Sequence, residues 1–382
     1  MPFPVVVERR QHSPGSQWLV CYNAFMNTQL PLSGIRVLDL TRLLPGPVAT
    51  MHLADMGAEV IKIEDPGPGD YARVMGPVRN EVSQFFVAVN RGKRMMRLNL
   101  KDAAHREQLL AMVETADVLV ESFRPGVMDK LDLGWQTLRQ RNPKLVMCAI
   151  SGYGQHGPFA QLAGHDINYI GYAGMLDQNA GADGVPALPN LQVGDLLGGA
   201  QSALQGILAA LVAVKMGGTG RFVDVSMTAA VMAHNIMPLV AVNNGAPAAP
   251  GRDLLTGGVP CYNVYRTADG RYMAVGALEL KFWQGCCDVL QRPDLKPRHW
   301  QLGQQVGGED AMALKAELDA LFATRTLAQW TEAFAAADCC VSPVLRTEEA
   351  LRHPLFRDIV SRRPHDTEGE SWSVAQPVRF AP

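Results

Sequence analysis

A chain of 382 residues with 35 basic and 37 acidic side chains carries a formal charge of −2. It has no global field of the kind that gathers nucleic acid or an anionic membrane surface, so an anionic ligand has to be met locally. The length exceeds what one compact core usually organises and favours two domains. The seven cysteines (Cys21, Cys148, Cys261, Cys286, Cys287, Cys339 and Cys340) form no CxxC or Cys/His metal spacing. An odd count with two adjacent pairs is no disulfide framework, and a reducing cytoplasm is the compartment that fits.

Residues 1–30 carry Arg9 and Arg10 but no apolar stretch followed by a small-residue cleavage site. They read as an extension, or as an overlong start with Met26 as the true one. Regular organisation begins after Leu30. "GIRVLDL" (34–40) is a β-rich run, "LLPGP" a loop, "VATMHLADMG" a helix and "EVIKIE" (59–64) a second β run, together a βαβ unit. The pattern recurs in "RMMRLNL" (94–100), a helix over about 103–115, "DVLVESF" (117–123), a helix near 127–140 and "LVMCAISGYG" (145–154). The fold class that follows is α/β, with a Rossmann-like large domain built on a parallel sheet whose carboxyl-end loops bind the ligand. No GxGxxG opens the first helix, so NAD is not expected.

"ALQGILAALVAVKM" (203–216) is shorter than a membrane span requires and is interrupted by Gln205 and Gly206, so it reads as a buried helix. From about residue 223 the texture changes. Pro and Gly cluster over 243–260, and "CYNVYRTADGRYMAVGA" alternates like a hairpin turning at Asp269-Gly270. A linker and a smaller α+β domain are expected over 223–340, with the large domain spanning 31–222 and completed by about 341–382.

Three sets of side chains are candidates for chemistry. Arg91, Lys93, Arg94 and Arg97 in "NRGKRMMRLNL", and Arg124 in "ESFRPGVMDKLDLG", lie near strand ends, where they are either ordinary solvated charges or phosphate ligands. Asp195 in "LQVGDLLGGAQSALQ" stands at the start of the apolar helix, where an N-cap role alone would justify it. Gly198, Gly199 and Ala200 leave the first turn bare, so backbone donors there could also meet a developing oxyanion. His165 in "AGHDINYIGYAGM" and Glu279 in "VGALELKFW" are each open to a structural or a catalytic reading on spacing alone.

Taken in order, the motifs resemble a known family. "PLSGIRVLDLTRLLPGPVATMHLADMGAEVIKIEDPGPGD", "FRPGVMDKLDLG" and "ISGYGQHGP" resemble the shared motifs of the class III CoA-transferase superfamily, CaiB/BaiF type. "LAGHDINY", "VGDLLGGA", "GGVPCYNVYRTADG" and "VGALE" resemble its α-methylacyl-CoA racemase branch.

The resemblance implies a two-base 1,1-proton transfer at C2 of a 2-methyl-branched acyl-CoA, through an enolate. His165 and Asp195 would stand on opposite faces of that carbon, and Glu279 would pair with His165 and hold its tautomer. CoA would be bound as part of the thioester substrate by basic side chains at Arg42, Arg91, Lys93, Arg94 and Arg124, with Arg91 and Arg124 foremost. Asp166 and Asn168 would be structural. No metal or redox cofactor, nucleic acid or membrane is implied, and the partner implied is a second copy in an interlocked homodimer. One departure is "NLQVGD" where racemases commonly carry Asn-Leu-Val-Gly-Asp, which puts Asn190 one place further from Asp195 and bears on substrate preference.

The alternative is a CoA-transferase in which Asp195 attacks the thioester and forms an anhydride and then an aspartyl-CoA thioester. Such transferases carry a glycine-rich loop in the small domain, where this chain has only "TGG" (256–258), and lack the paired His165 and Glu279. A catalytically silent CoA-binding protein is the third reading, and intact His165, Asp195 and Glu279 argue against it.

Overall fold

Six short apolar runs become the strands of one parallel sheet: β1 (Arg36–Asp39), β2 (Glu59–Glu64), β3 (Arg94–Arg97), β4 (Val118–Glu121), β5 (Val146–Ser151) and β6 (Phe222–Ser226). Their order in the sheet is β3-β2-β1-β4-β5-β6, and every neighbouring pair runs parallel. The computed structural model describes residues 30–79, 81–180, 184–246, 249–364 and 370–380; the extension expected over residues 1–30 falls outside them except for Leu30.

Parallel strands joined by helices are covered on both faces, so both alternating sets of side chains are apolar. In β1, Val37 belongs to one core and Leu38 to the other, each 0% exposed. The first core packs the sheet against α1 (Pro45–Asp55) and the helix Ser202–Lys215 through Met51, Leu53, Ala203, Ile207 and Leu211. The second packs the opposite face against α2 (Ala103–Val113) through Leu109 and Val113. Each such fully buried aliphatic side chain contributes about 1.5–3 kcal/mol relative to exposure, so the sheet holds most of the unit's stability.

The chain divides into two compact units, one of 1–175, 189–235 and 359–382, the other of 176–188 and 236–358. The sequence reading ended the large domain at residue 222. β6 pairs with β5 and its N-capping Ser226 starts the helix Met227–His234, so the first unit continues through Asn235. The reading also returned the chain to the large domain at about 341. Instead Val341–Pro343 pairs with Tyr272–Gly276 in the second unit, and the return falls at Ile359.

The helix over 203–216 also differs from expectation. It runs without a break from Gly194 to Lys215, 22 residues, and is the one described helix long and apolar enough by length and composition to cross a membrane. It is not buried all round: Ala203, Ile207, Ala210 and Leu211 face the sheet while Val212 is 58% exposed. We label this helix α3, its first part (Gly194–Gln201) being π-helical. The Ser202 N–H accordingly reaches the Leu197 carbonyl five residues back.

The second unit is built on a three-stranded antiparallel sheet in which β8 (Tyr272–Gly276) lies between β7 (Tyr262–Arg266) and β9 (Val341–Pro343). The β7–β8 hairpin turns at Asp269-Gly270, where Gly270 takes φ +72°, a value that glycine reaches without strain. Trp283, Trp330, Tyr265 and Phe322 fill the core. Each buried polar tip is bonded: Trp283 to the Leu295 carbonyl, Trp330 to that of Phe322 and Tyr265 to that of Pro260.

Candidate active site

In an open parallel sheet the ligand crevice opens at the carboxyl ends of the strands, where the order reverses. Here that point lies between β1 and β4, and the two following loops carry Arg42 and Arg124. The β1 loop is rigidly held. Asp39, fully buried, accepts the Thr41 N–H (2.9 Å), the Thr41 and Thr50 hydroxyls (2.6 Å each) and the Lys93 ammonium (2.9 Å). Lys62 donates to the Thr41 carbonyl at 2.8 Å and pairs with Asp70 at 2.9 Å.

Asp70 in turn accepts the Leu43 N–H at 2.9 Å and so supports Leu43 at φ +65°, a conformation that leucine disfavours. On this loop the Arg42 guanidinium lies 5.4 Å from both the Tyr71 and Phe123 ring centroids, held by its charge against their faces. The β4 loop is shaped by buried Glu121, whose carboxylate oxygen accepts the Phe123 N–H at 2.7 Å and whose carboxyl burial pushes up to about 8. Arg124 follows, exposed.

The other basic candidates are placed differently. Lys93 is 1% exposed, and its three N–H bonds go to Asp39, the Pro47 carbonyl (2.8 Å) and Asn90 (2.9 Å). It is a structural lysine, which corrects its assignment to CoA. Arg91 pairs with Asp55 at the end of α1, and Arg94 with Glu59 at the start of β2. Both therefore stand at the amino edge of the sheet, opposite the crevice. A run of cations adjacent in sequence is thus divided between the core and the far edge.

His165 ends the loop that follows β5 and directly precedes the helix Asp166–Tyr172. Tyrosines fix this loop: Tyr169 donates to the Gly164 carbonyl at 2.5 Å, and the Tyr153 ring stands edge-on to Tyr169 at 5.4 Å and to Tyr172 at 5.7 Å. A Cβ at Gly164 would come within 2.7 Å of the Tyr153 hydroxyl and the Tyr169 ring, which is why the motif reads Gly-His. The His165 N–H is accepted by Asn168 Oδ1 at 3.0 Å, so Asn168 has the structural role expected of it. The imidazole-bearing residue is exposed.

The link from His165 to Asp195 is Asp166. Its Oδ1 accepts the Asp195 backbone N–H at 2.9 Å, tying the first turn of the His165 helix to the first turn of α3. A Cβ at Gly194 would stand 3.0 Å from that oxygen, so the Gly-Asp order of "VGD" follows from the same contact. Burial, and next the nearby Asp166 charge, push the Asp195 carboxyl up to about 7. A carboxyl with that value is available both as acid and as base near neutral pH.

Two expectations at Asp195 are corrected. It is not the N-cap, a position held by Val193; it lies one residue inside the helix. The bare first turn is not open to a ligand either. A Cβ at Gly198 would meet the Met227 carbonyl at 2.6 Å and one at Gly199 would meet Pro45 at 2.6 Å, so these glycines serve close helix packing. The amides there are also engaged, Asp195 N–H by Asp166 and Leu196 N–H by the Gln192 carbonyl at 2.8 Å.

Glu279 belongs to the second unit, exposed at the N-cap of the helix Leu280–Val289. Among the described residues no group of three or more His, Cys, Asp or Glu is arranged to hold a metal ion.

The first unit thus carries cationic loops at the sheet's crevice and, separately, a histidine turn tied through Asp166 to a carboxyl of raised proton affinity, and comparison with known proteins gives the class. Residues 32–382 match CoA-transferase family III, and the chain belongs to that family. It is 37% identical over 348 residues to the α-methylacyl-CoA racemase of Mus musculus, covering 91% of this chain and 85% of that one. It is 36% identical over 330 residues to the acetyl-CoA:oxalate CoA-transferase of Acetobacter aceti, covering 85% and 83%. Among solved structures, Rv3272 of Mycobacterium tuberculosis superposes with a TM-score of 0.77 at 31% identity over 92% of this chain and 93% of that one.

Proposed function

We propose that the chain is an α-methylacyl-CoA racemase, epimerising C2 of 2-methyl-branched acyl-CoA thioesters. The observation that carries this reading is the Asp166 bridge, which joins the His165 turn to an Asp195 whose carboxyl titrates near neutrality. The α-proton of a thioester is weakly acidic, so its removal needs a base of matched pKa, and racemisation needs a second group to return a proton on the opposite face. His165 and Asp195 take these two roles, one as base while the other is acid, with the roles exchanged for the other enantiomer. Arg42 and Arg124 are the CoA phosphate ligands best supported by position at the crevice.

The mouse racemase likeness supports this reading over the transferase, although the Acetobacter transferase is nearly as similar. The two neighbouring carboxylates keep that second reading in view. In that reading Asp195 attacks the thioester, forming a mixed anhydride and then an aspartyl-CoA thioester.

The test is α-proton exchange in D2O with a (2R)-2-methyl-branched acyl-CoA and no acceptor acid. Deuterium at C2 together with loss of stereochemical purity is expected, and Arg124→Ala should raise KM about tenfold with kcat held. No exchange, but CoA passing to an added carboxylate and a hydroxylamine-trapped adduct mapped to Asp166 or Asp195, would establish the transferase instead.

A homodimer is part of this proposal. The helix Ile236–Asn243 buries no residue, and Ile236, Leu239 and Val242 are 60%, 50% and 60% exposed, an apolar surface that a second copy would cover. Sedimentation equilibrium is expected to give twice the chain mass, and a monomer at assay concentration would reject the dimer.

A further inference from the structure

Glu121 is the last residue of β4 and stands where the sheet meets the crevice. Its surroundings are unsuited to a charge. On the β1 side of the sheet Leu40 belongs to the same core as Leu119 and is 2% exposed. On the other side the register sets Glu121 beside Ala149 of β5, and Ala149 beside Asp224 of β6. Two carboxyls therefore share one face of the sheet with only a methyl group between them, about 10 Å apart across two strand spacings. Asp224 accepts the Gln155 N–H through both oxygens, at 3.2 and 3.1 Å, and Asp129 on the helix Val127–Lys130 adds a second negative neighbour. The Cys148 thiol of β5 is held well above the usual thiol range, first by burial and then by Glu121 and Asp224, and brings no charge of its own.

Glu121 itself is 4% exposed. Burial is the main cause that moves its carboxyl up to about 8; the Phe123 N–H opposes the rise, and Asp224 and Asp129 add to it. At neutral pH the group is a neutral acid. What hangs on it is the turn that backs Arg42. Glu121 accepts the Phe123 N–H at 2.7 Å. Ser122 Oγ accepts the Arg42 N–H at 3.2 Å, and the Phe123 ring centroid lies 5.4 Å from the Arg42 guanidinium. Ser122 and Phe123 thus hold Arg42 by its backbone and by its charge, and the Glu121 bond spans both of them. An ionised Glu121 is driven toward water, and the two residues joined to it move with it. A glutamine would fill the same space and accept the same N–H with no proton to lose.

We propose that Glu121 is a positioning residue for Arg42, and that loss of its proton loosens the hold of the chain on CoA thioesters. The proposal rests on the reading of Arg42 as a CoA phosphate ligand.

The test is calorimetric binding of acetyl-CoA between about pH 6.5 and about pH 9.5 to the wild-type chain, Glu121→Gln, Arg42→Ala and the double variant. Lys93 also titrates at about 8 and supports the Arg42 loop through Asp39, so the wild-type curve alone does not isolate Glu121. The ratio of the wild-type Kd to that of Glu121→Gln does. It is expected to lie within about twofold of unity at pH 7 and to rise about tenfold on the alkaline side, the worth of one charge-assisted phosphate contact, with its midpoint at about 8. In the Arg42→Ala background the same ratio should stay flat, because the group being positioned is gone. A flat ratio with Arg42 present, or an equal rise with and without it, would overturn the proposal. If Glu121→Gln does not fold, alkaline weakening retained in full by Arg42→Ala overturns it as well. An Arg42→Ala chain that binds acetyl-CoA as tightly as wild type at pH 7 would instead remove the reading of Arg42 on which the proposal stands.

Discussion

Asp195→Asn is expected to slow C2 proton exchange by about 10²–10⁴-fold, the range that a positioned acid or base contributes. The substitution keeps the size of the side chain and the backbone N–H that bonds Asp166, so the loss reports proton transfer and not a displaced helix. Its pH profile follows from a carboxyl held at about 7 by burial and by Asp166. In a two-base enzyme the form that accepts one enantiomer and the form that accepts the other differ only in which group holds the proton, so kcat/KM should follow one and the same bell-shaped profile in both directions, with one limb inflecting near that value.

Asp166→Asn should move the Asp195 inflection downward without restoring the ordinary carboxylate range, because burial is the larger cause. The sign for stability is the reverse of that of a salt-bridged acid. The unfolded carboxyl ionises near its ordinary value of 3.8 and the folded one at about 7, so between those values the unfolded state holds fewer protons and stability falls as pH rises. A kcat/KM profile with no inflection near 7 in either direction would sink the assignment.

Asp39→Asn and Lys93→Met are each expected to destabilise the protein by about 3–5 kcal/mol, the cost of leaving one partner of a buried ion pair without its counter-charge. Burial by itself would raise the Asp39 carboxyl, but Lys93 and Lys62 and the two threonine hydroxyls outweigh it and hold the group well below the usual range. Burial brings Lys93 down to about 8, with Asp39 opposing the fall. Removing the aspartate charge should therefore leave Lys93 neutral at pH 7. The double variant should cost less than the sum of the two, since no unpaired charge remains from this pair. Urea unfolding of the four proteins measures all three quantities. Additive losses would show that the two groups act separately.

The consequence for binding is spatial. Asp39, Lys62 and Asp70 hold the loop on which Arg42 stands, so these variants should also weaken affinity for CoA thioesters while leaving Asp195 in place.

The sheet was legible because its strands are apolar on both faces and are separated by Pro and Gly at regular intervals, the signature that parallel packing imposes. The unit boundary was less so. Nothing in the composition of residues 222–226 tells a last sheet strand from the beginning of a linker, since the pairing partner that decides it lies more than 70 residues away in β5. Among the proposed site residues, His165, Asp195 and Glu279 were singled out through motifs, but Asp166, which joins the first two, was read only as support for a loop. An aspartate bridging two helix starts leaves no local mark. Adjacency misled at Arg91, Lys93 and Arg94, where chain neighbours point to different surroundings, and at Gly198 and Gly199, where small residues that seemed to make room for a ligand make room for Met227 and Pro45.

The π segment at the start of α3 was invisible to a 3.6-residue repeat, and it gives the site an unusual kind of dependence. An ordinary helix fixes the bearing of each residue by its distance in sequence from the core residues beyond it. Here the wider winding of Gly194–Gln201 includes Asp195 and continues toward the packed positions Ala203, Ile207, Ala210 and Leu211, and it acts as a phase shift in the screw. Rewinding that stretch at the common pitch with every residue kept would swing Asp195 by about 100° around the axis, off the bearing on which Asp166 meets it. Every side chain of the proposed chemistry could be retained and Asp195 would still no longer meet Asp166. Residue number within that turn is as much a part of the site as residue type.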